Sequence, residues 1–141
     1  MNKEVLITLK SVQSVDNDRQ ETELKTTGQF KPLDNGFEIT YDESAATGFA
    51  GSKTILTCYG NERASMQRTG KSFSNLVIEM NKKHHCHYGT PYGDLMIGVF
   101  AHKIDNNLNE NGGDLYFKYT IDVNSSFVSD NEVFINVRED N

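Results

Sequence analysis

The sequence predicts an all-β domain of antiparallel strands, closed into a barrel. Apolar and polar residues alternate with a period of two along most of the chain, which is the pattern of strands that bury one face. Turns rich in Gly, Asn and Asp separate these stretches at short intervals. No segment shows the periodicity of an amphipathic helix. These observations predict a single antiparallel, mostly up-and-down barrel of about 8–10 strands.

Each predicted strand is a run of alternating residues bounded by turn signals. The strands are expected at residues 4–10, 23–31, 37–43, 53–59, 63–69, 73–79, 83–90, 94–106, 115–123 and 133–137. Asp34-Asn35-Gly36 is a strong hairpin signal because Asn and Gly tolerate positive φ. Residues 44–52 are predicted as a small-residue loop and Asn107–Gly113 as a polar loop. Closure of the meander removes exposed edges, and an open two-sheet sandwich is the alternative.

Length and charge limit the classes of protein. The 141 residues suit one domain over 1–141, and the net charge of −6 with no dense basic cluster argues against nucleic-acid binding. No apolar run is long enough to span a bilayer, and the apolar N-terminal stretch is too short for a signal peptide. We therefore expect a cytoplasmic protein without a membrane partner. Cys58 and Cys86 are expected as free thiols, although a disulfide between them stays possible in principle.

Two charged residues fall at positions that face the barrel interior. Tyr41 and Glu43 follow Ile39 at steps of two, and Arg68 follows Met66 in the same way. Buried charges are costly unless they are paired or solvated, so Glu43 and Arg68 should contact each other, a ligand or water. The pair is either a structural clasp or part of a ligand pocket. A cavity beside it supports the pocket, and tight packing excludes it. The apolar interior is predicted to include Ile7, Leu24, Phe30, Ile39, Phe117, Tyr119 and Ile135.

The segment Tyr88–Gly93 is typical of a strand end that turns at a barrel rim. Its tyrosines either offer hydroxyl groups to a ligand or pack at the rim. The candidate ligand-binding residues are Tyr41, Glu43, Arg68, Tyr88, Thr90, Tyr92 and Tyr119.

Motifs for metal binding and catalysis are weak. His84-His85-Cys86-His87 alternates between two strand faces, so at most two of its side chains reach one ion, whereas zinc takes three or four protein ligands. We predict no metal site and no cofactor. The chain has no nucleophile elbow and no phosphate-binding loop before a helix, so no catalytic residue is predicted. An enzyme that uses Glu43 as acid or base is a further alternative.

An ordered set of motifs resembles the YwiB-like family of small bacterial proteins of unknown function. The motifs are Tyr41-Asp42-Glu43, Arg68-Thr69-Gly70, residues 88–93 and residues 112–119. The resemblance implies a lipocalin-like (calycin) barrel in a bacterial cytoplasm and brings no established activity, substrate or cofactor.

Two functions compete. The first is a non-catalytic barrel that binds a small molecule, anionic or polar at one end, in or at the mouth of the barrel. The second is a filled barrel that acts as a protein-interaction or homodimerisation module. Residues 95–100 motivate the second, because they are apolar on both faces and one face must point outward.

Overall fold

Ten β-strands make up the fold in the computed structural model, which describes residues 3–44, 50–71, 73–90 and 93–139. The strands are β1 (Lys3–Val15), β2 (Asp18–Pro32), β3 (Phe37–Asp42), β4 (Ser52–Tyr59), β5 (Arg63–Gly70), β6 (Ser74–Glu79), β7 (Lys83–Thr90), β8 (Gly93–Asn109), β9 (Gly112–Val123) and β10 (Ser126–Glu139). The described residues contain no helix long and apolar enough to cross a bilayer.

The strands form one closed antiparallel barrel in which each strand pairs with its neighbours in sequence. β1 also pairs with β10, in a register that runs from Val5↔Glu139 to Ser14↔Asp130. This last pairing closes the barrel, so the predicted fold is confirmed and the open sandwich is wrong.

The barrel has two ends that differ in character. The end that we call the mouth is marked by Val15, Asp42, Gly70 and Val123, where odd-numbered strands finish. The opposite end, the base, is marked by Pro32, Tyr59, Glu79 and Asn109. Lys3 ties the base together, because its Nζ donates to the backbone oxygen of Glu110 and to a carboxylate oxygen of Glu139, each at 2.9 Å.

The core contains the apolar residues that the two-residue alternation along the strands predicts to face inward. Ile7, Leu24, Phe30, Ile39, Phe117, Tyr119 and Ile135 are all buried. Phe30 stacks on Phe37 with ring centroids 5.2 Å apart, next to the base. Full burial of an aromatic or aliphatic side chain of this size stabilises the fold by roughly 1.5–3 kcal/mol. The base half of the barrel is therefore a packed apolar core.

Gly28 lies where β2 is paired on both sides. It pairs with Val5 of β1 on one side and with Tyr41 of β3 on the other. A Cβ atom at this position would lie 2.3 Å from the backbone oxygen of Thr40 and 2.6 Å from Cδ1 of Ile7. Only glycine allows the strands to approach this closely here.

The predicted polar loop at Asn107–Gly113 is wrong. β8 continues to Asn109 and β9 begins at Gly112, with Leu108 paired to Gly113. The two glycines adopt positive φ values of 114° and 124°, which L side chains rarely adopt. This backbone freedom lets a polar, glycine-containing stretch continue the pairing of β8 with β9. Of the predicted loop at 44–52, residues 45–49 lie outside the described residues.

The seam between β6 and β7 is thinly paired. In the described residues its register consists of Ser74↔Tyr88, whereas β7 and β8 share eight Cα partner pairs. Next to this pair the backbone N–H of Gly89 donates to the Phe73 oxygen at 2.7 Å. Further along, the N–H of Val77 donates to the Cys86 thiol sulfur at 3.4 Å. A side-chain sulfur atom is thus the acceptor for a backbone N–H group of β6.

Candidate ligand-binding site

The mouth half of the barrel contains a cavity of about 270 Å³. It is lined by Leu9, Ser11, Val12, Gln13, Gln20, Thr22, Tyr41, Glu43, Thr54, Met66, Arg68, Ser74, Leu76, Tyr88, Tyr119, Asn131, Glu132 and Val133. The interior is therefore packed at the base and open toward the mouth.

One cross-strand row positions most of the polar wall. Tyr41 of β3 pairs with Thr54 of β4, which pairs with Arg68 of β5, and the row continues through Ser74 to Tyr88. Directly paired residues of antiparallel strands point to the same face of the sheet. The row therefore points five polar side chains into the cavity from five consecutive strands.

Glu43 and Arg68 meet in this wall. Arg68 Nη2 lies 3.4 Å from Glu43 Oε2, and the two side chains are 12% and 2% exposed. Thr54 Oγ1 donates to the same carboxylate oxygen at 2.5 Å, and Arg68 Nη1 donates to Ser74 Oγ at 3.4 Å. Ion-paired N–H···O bonds are usually about 2.7–2.9 Å long, so Arg68 contacts this carboxylate loosely.

Two buried tyrosines complete the polar surroundings of Arg68. Burial raises the pKa of Tyr41 well above its usual value, and the negative charge of Glu43 adds to this rise. Burial also raises the pKa of Tyr119, with a further contribution from Tyr88, while the charge of Arg68 acts in the opposite direction. Both phenols therefore stay protonated at neutral pH and act as hydrogen-bonding groups.

The floor of the cavity is apolar. Met66 and Leu76 lie two residues deeper along β5 and β6 than Arg68 and Ser74, and they pair with each other. Leu9 and Val133 contribute apolar surface from β1 and β10. The cavity therefore has a charged and hydroxyl-rich wall above an apolar floor.

Five of the seven predicted site residues line this one cavity: Tyr41, Glu43, Arg68, Tyr88 and Tyr119. The side chain of Thr90 and the whole of Tyr92 lie outside the described residues. The sequence reasoning missed Thr54, Ser74 and Asn131. The alternation of side-chain direction along a strand could have identified all three, because each lies two residues before a buried apolar residue on its own strand.

The histidine and cysteine residues contribute nothing to the cavity wall. His84 Nε2 contacts Glu79 Oε1 at 2.8 Å, and this hydrogen bond lowers the pKa of Glu79. The residues that the structure describes include no group of three or more His, Cys, Asp or Glu arranged to hold a metal ion. Cys58 and Cys86 are buried free thiols, and burial raises the pKa of Cys58 to about 11.

The fold and the cavity define a class: a closed ten-stranded antiparallel barrel with an interior that opens at one end. Within that class, the chain belongs to the family described as Domain of unknown function (DUF1934), whose model matches residues 7–135. It is also similar to a solved structure, the crystal structure of ywiB protein from Bacillus subtilis, with a TM-score of 0.85 and 20% identity. The alignment covers 99% of this chain and 94% of that one. This likeness shows the fold, and the predicted family resemblance is confirmed. A comparison with curated proteins gave no significant match.

Proposed function

We propose that this protein is a non-catalytic binding barrel that takes one small molecule into the mouth cavity. An anionic or polar end of the ligand contacts Arg68, with Tyr88, Tyr119 and Glu43 nearby. The observation that carries the proposal is the cavity of about 270 Å³ beside a buried ion pair. A clasp that served only to fix the register would not need open space next to it.

The volume limits the size of the ligand. An engineered apolar cavity of about 150 Å³ holds benzene, which has six non-hydrogen atoms, so the same ratio gives roughly ten such atoms here. The cavity of about 270 Å³ is also slightly smaller than the roughly 300–1,000 Å³ of typical ligand pockets. The ligand is therefore a metabolite-sized molecule and is smaller than a nucleotide.

The chemistry of the wall favours binding over catalysis. A general acid or base works best when its pKa lies near the working pH, and the raised pKa values of Tyr41 and Tyr119 take both phenols far from it. Thr54 and Arg68 hold the Glu43 carboxylate in place as a fixed acceptor and counter-ion. An enzyme that uses Glu43 is accordingly the weaker interpretation.

Native mass spectrometry of gently purified protein tests this function. We expect an extra mass on the native protein that is lost on denaturation. Ser74→Phe places a large side chain in the cavity and should abolish the extra mass. Asn75→Phe is the matched control, because Asn75 is exposed on the opposite face of β6. If Ser74→Phe retains the extra mass, the ligand binds elsewhere. A wild-type protein that carries no extra mass and also binds nothing in a metabolite screen would contradict the proposal.

A second function, homodimerisation, rests on the exposure of β8 near the mouth. Leu95 and Met96, which point to opposite faces of β8, are 47% and 49% exposed. Phe73 and Phe127 are also exposed at the mouth. A second copy of the chain would cover this surface. Light scattering should then give a dimer mass that Met96→Lys reduces to that of a monomer, and a monomeric wild type would refute it.

A cytoplasmic location, the lipocalin-like (calycin) relationship and the absence of nucleic-acid and membrane partners stay predictions.

A further inference from the structure

We infer that the ligand is a zwitterion with a short apolar chain, of the chemical class of the apolar α-amino acids. The inference rests on the proposed function and names the substrate class of that same cavity. It follows from the charge of the wall, the spacing of its groups and the division between wall and floor.

The charges of Glu43 and Arg68 cancel within the cavity wall. Glu132 also borders the cavity, but it alternates with the buried Asn131 and Val133, so its carboxylate points to the outer face, where it accepts a hydrogen bond from the Tyr116 hydroxyl. A buried pair is tolerated because each charge offsets the other, and an uncompensated buried charge is strongly unfavourable. A simple anion at Arg68 would leave the wall and ligand together with a net negative charge. A simple cation at Glu43 would leave a net positive charge. A zwitterion places a carboxylate beside Arg68 and an ammonium group beside Glu43, and it leaves the site neutral.

The spacing of the two groups suits a molecule that carries both charges close together. Arg68 Nη2 and Glu43 Oε2 are 3.4 Å apart, longer than a tight ion-paired hydrogen bond. In an α-amino acid one carbon atom joins the carboxylate to the ammonium group. The carboxylate contacts Arg68 on the side of Ser74 and Tyr88, and the ammonium group contacts Glu43 on the side of Tyr41.

The floor defines the remainder of the ligand. Met66, Leu76, Leu9 and Val133 present apolar surface below the charged row. A polyol or a second charged group would lose its hydration there without gaining partners, whereas a branched aliphatic chain gains by burial. Leucine, with nine non-hydrogen atoms, agrees with the size of roughly ten that the cavity volume gives.

Calorimetric titration with three matched compounds tests the inference. Leucine carries both charges, isocaproate is leucine without the ammonium group, and isoamylamine is leucine without the carboxylate. We expect leucine to bind about tenfold or more tightly than either analogue, because a hydrogen bond to a charged partner contributes about that factor. Isocaproate that binds as tightly as leucine would overturn the zwitterion and leave the proposed function standing.

Charge-altered variants sharpen the test. Glu43→Gln leaves the wall positive, so isocaproate should bind more tightly than leucine. Arg68→Gln leaves the wall negative, so isoamylamine should bind more tightly than leucine. If either single variant fails to fold, the double variant E43Q/R68Q removes both charges together and should abolish the preference for leucine. Glu79→Gln changes a carboxylate on the outer surface and should leave all three affinities unchanged.

Two further results would overturn the inference. In the first, the double variant keeps the full preference for leucine. In the second, none of the three compounds binds at millimolar concentration. In that second case the native mass measurement on wild type and Ser74→Phe still decides the proposed function separately, because it does not depend on the identity of the ligand.

Discussion

Arg68→Met should destabilise the barrel far more than the loss of a surface ion pair. The substitution keeps most of the aliphatic stem and removes the guanidinium group. The Glu43 carboxylate, with its side chain 2% exposed, then keeps the hydrogen bond from Thr54 but loses its cationic partner. Breaking a buried pair by removing one partner costs about 3–5 kcal/mol, whereas small domains have a total free energy of unfolding of about 5–15 kcal/mol.

Urea denaturation followed by circular dichroism measures this cost. With a denaturant slope of about 2 kcal/mol per molar urea, the midpoint should fall by about 2 M. Lys83→Met is the control, because Lys83 and Asp122 lie only 2.6 Å apart but their side chains are 39% and 17% exposed. An ion pair that water reaches contributes about 0.2–1 kcal/mol.

The comparison separates burial from distance as the source of the energy. The shorter pair should matter less, because water screens it. E43Q/R68M should recover much of the lost stability, since it leaves no charge behind. A loss below about 1 kcal/mol for Arg68→Met, or a greater loss for Lys83→Met, would refute the reasoning that the Glu43–Arg68 pair is desolvated.

Three further predictions concern the core and the cavity wall. Gly28→Val should destabilise the fold by about 1–3 kcal/mol or more in urea denaturation, because the valine Cβ would lie 2.3 Å from the Thr40 backbone oxygen. A valine variant as stable as the wild type would contradict the close approach of the strands. Above a pH of about 10 the free energy of unfolding should fall by about 1.4 kcal/mol per pH unit for each of Tyr41 and Tyr119, because unfolded tyrosine releases its proton there while the folded pKa is raised. Tyr41→Phe should reduce the slope by about 1.4 kcal/mol per pH unit, and an unchanged slope would show that the Tyr41 phenol does not contribute. At a pH of about 8 neither Cys58 nor Cys86 should react with a thiol reagent until the protein unfolds, because both are buried and burial raises the pKa of each thiol; rapid labelling of the native protein would contradict this.

Strand parity predicted the fold well because a period of two ties side-chain direction directly to sequence position. All seven apolar residues expected inside are buried, and Glu43 and Arg68 meet as expected. The turns at Asp16, Asn81 and Asn124 were also predictable, and these three residues adopt the positive φ that their residue types tolerate.

Other features depend on geometry that the sequence does not state. The existence and size of the cavity depend on strand tilt and stagger around the closed barrel. The extension of β8 through Asn109 depends on pairing with Gly112 and Gly113. The polar and glycine-rich composition of this stretch is that of a loop, so the sequence alone predicted one. The hydrogen bond from the Val77 N–H to the Cys86 thiol depends on how β6 and β7 meet, and no local sequence pattern predicts it.

A crystal structure of gently purified protein tests the central claim most directly, because it shows the contents of the cavity. The account predicts electron density for one non-protein molecule of roughly ten non-hydrogen atoms in contact with Arg68, Tyr88 and Tyr119. A cavity collapsed by inward movement of Met66 or Tyr88, so that Glu43 and Arg68 pack against side chains alone, would contradict it and leave the pair as a clasp.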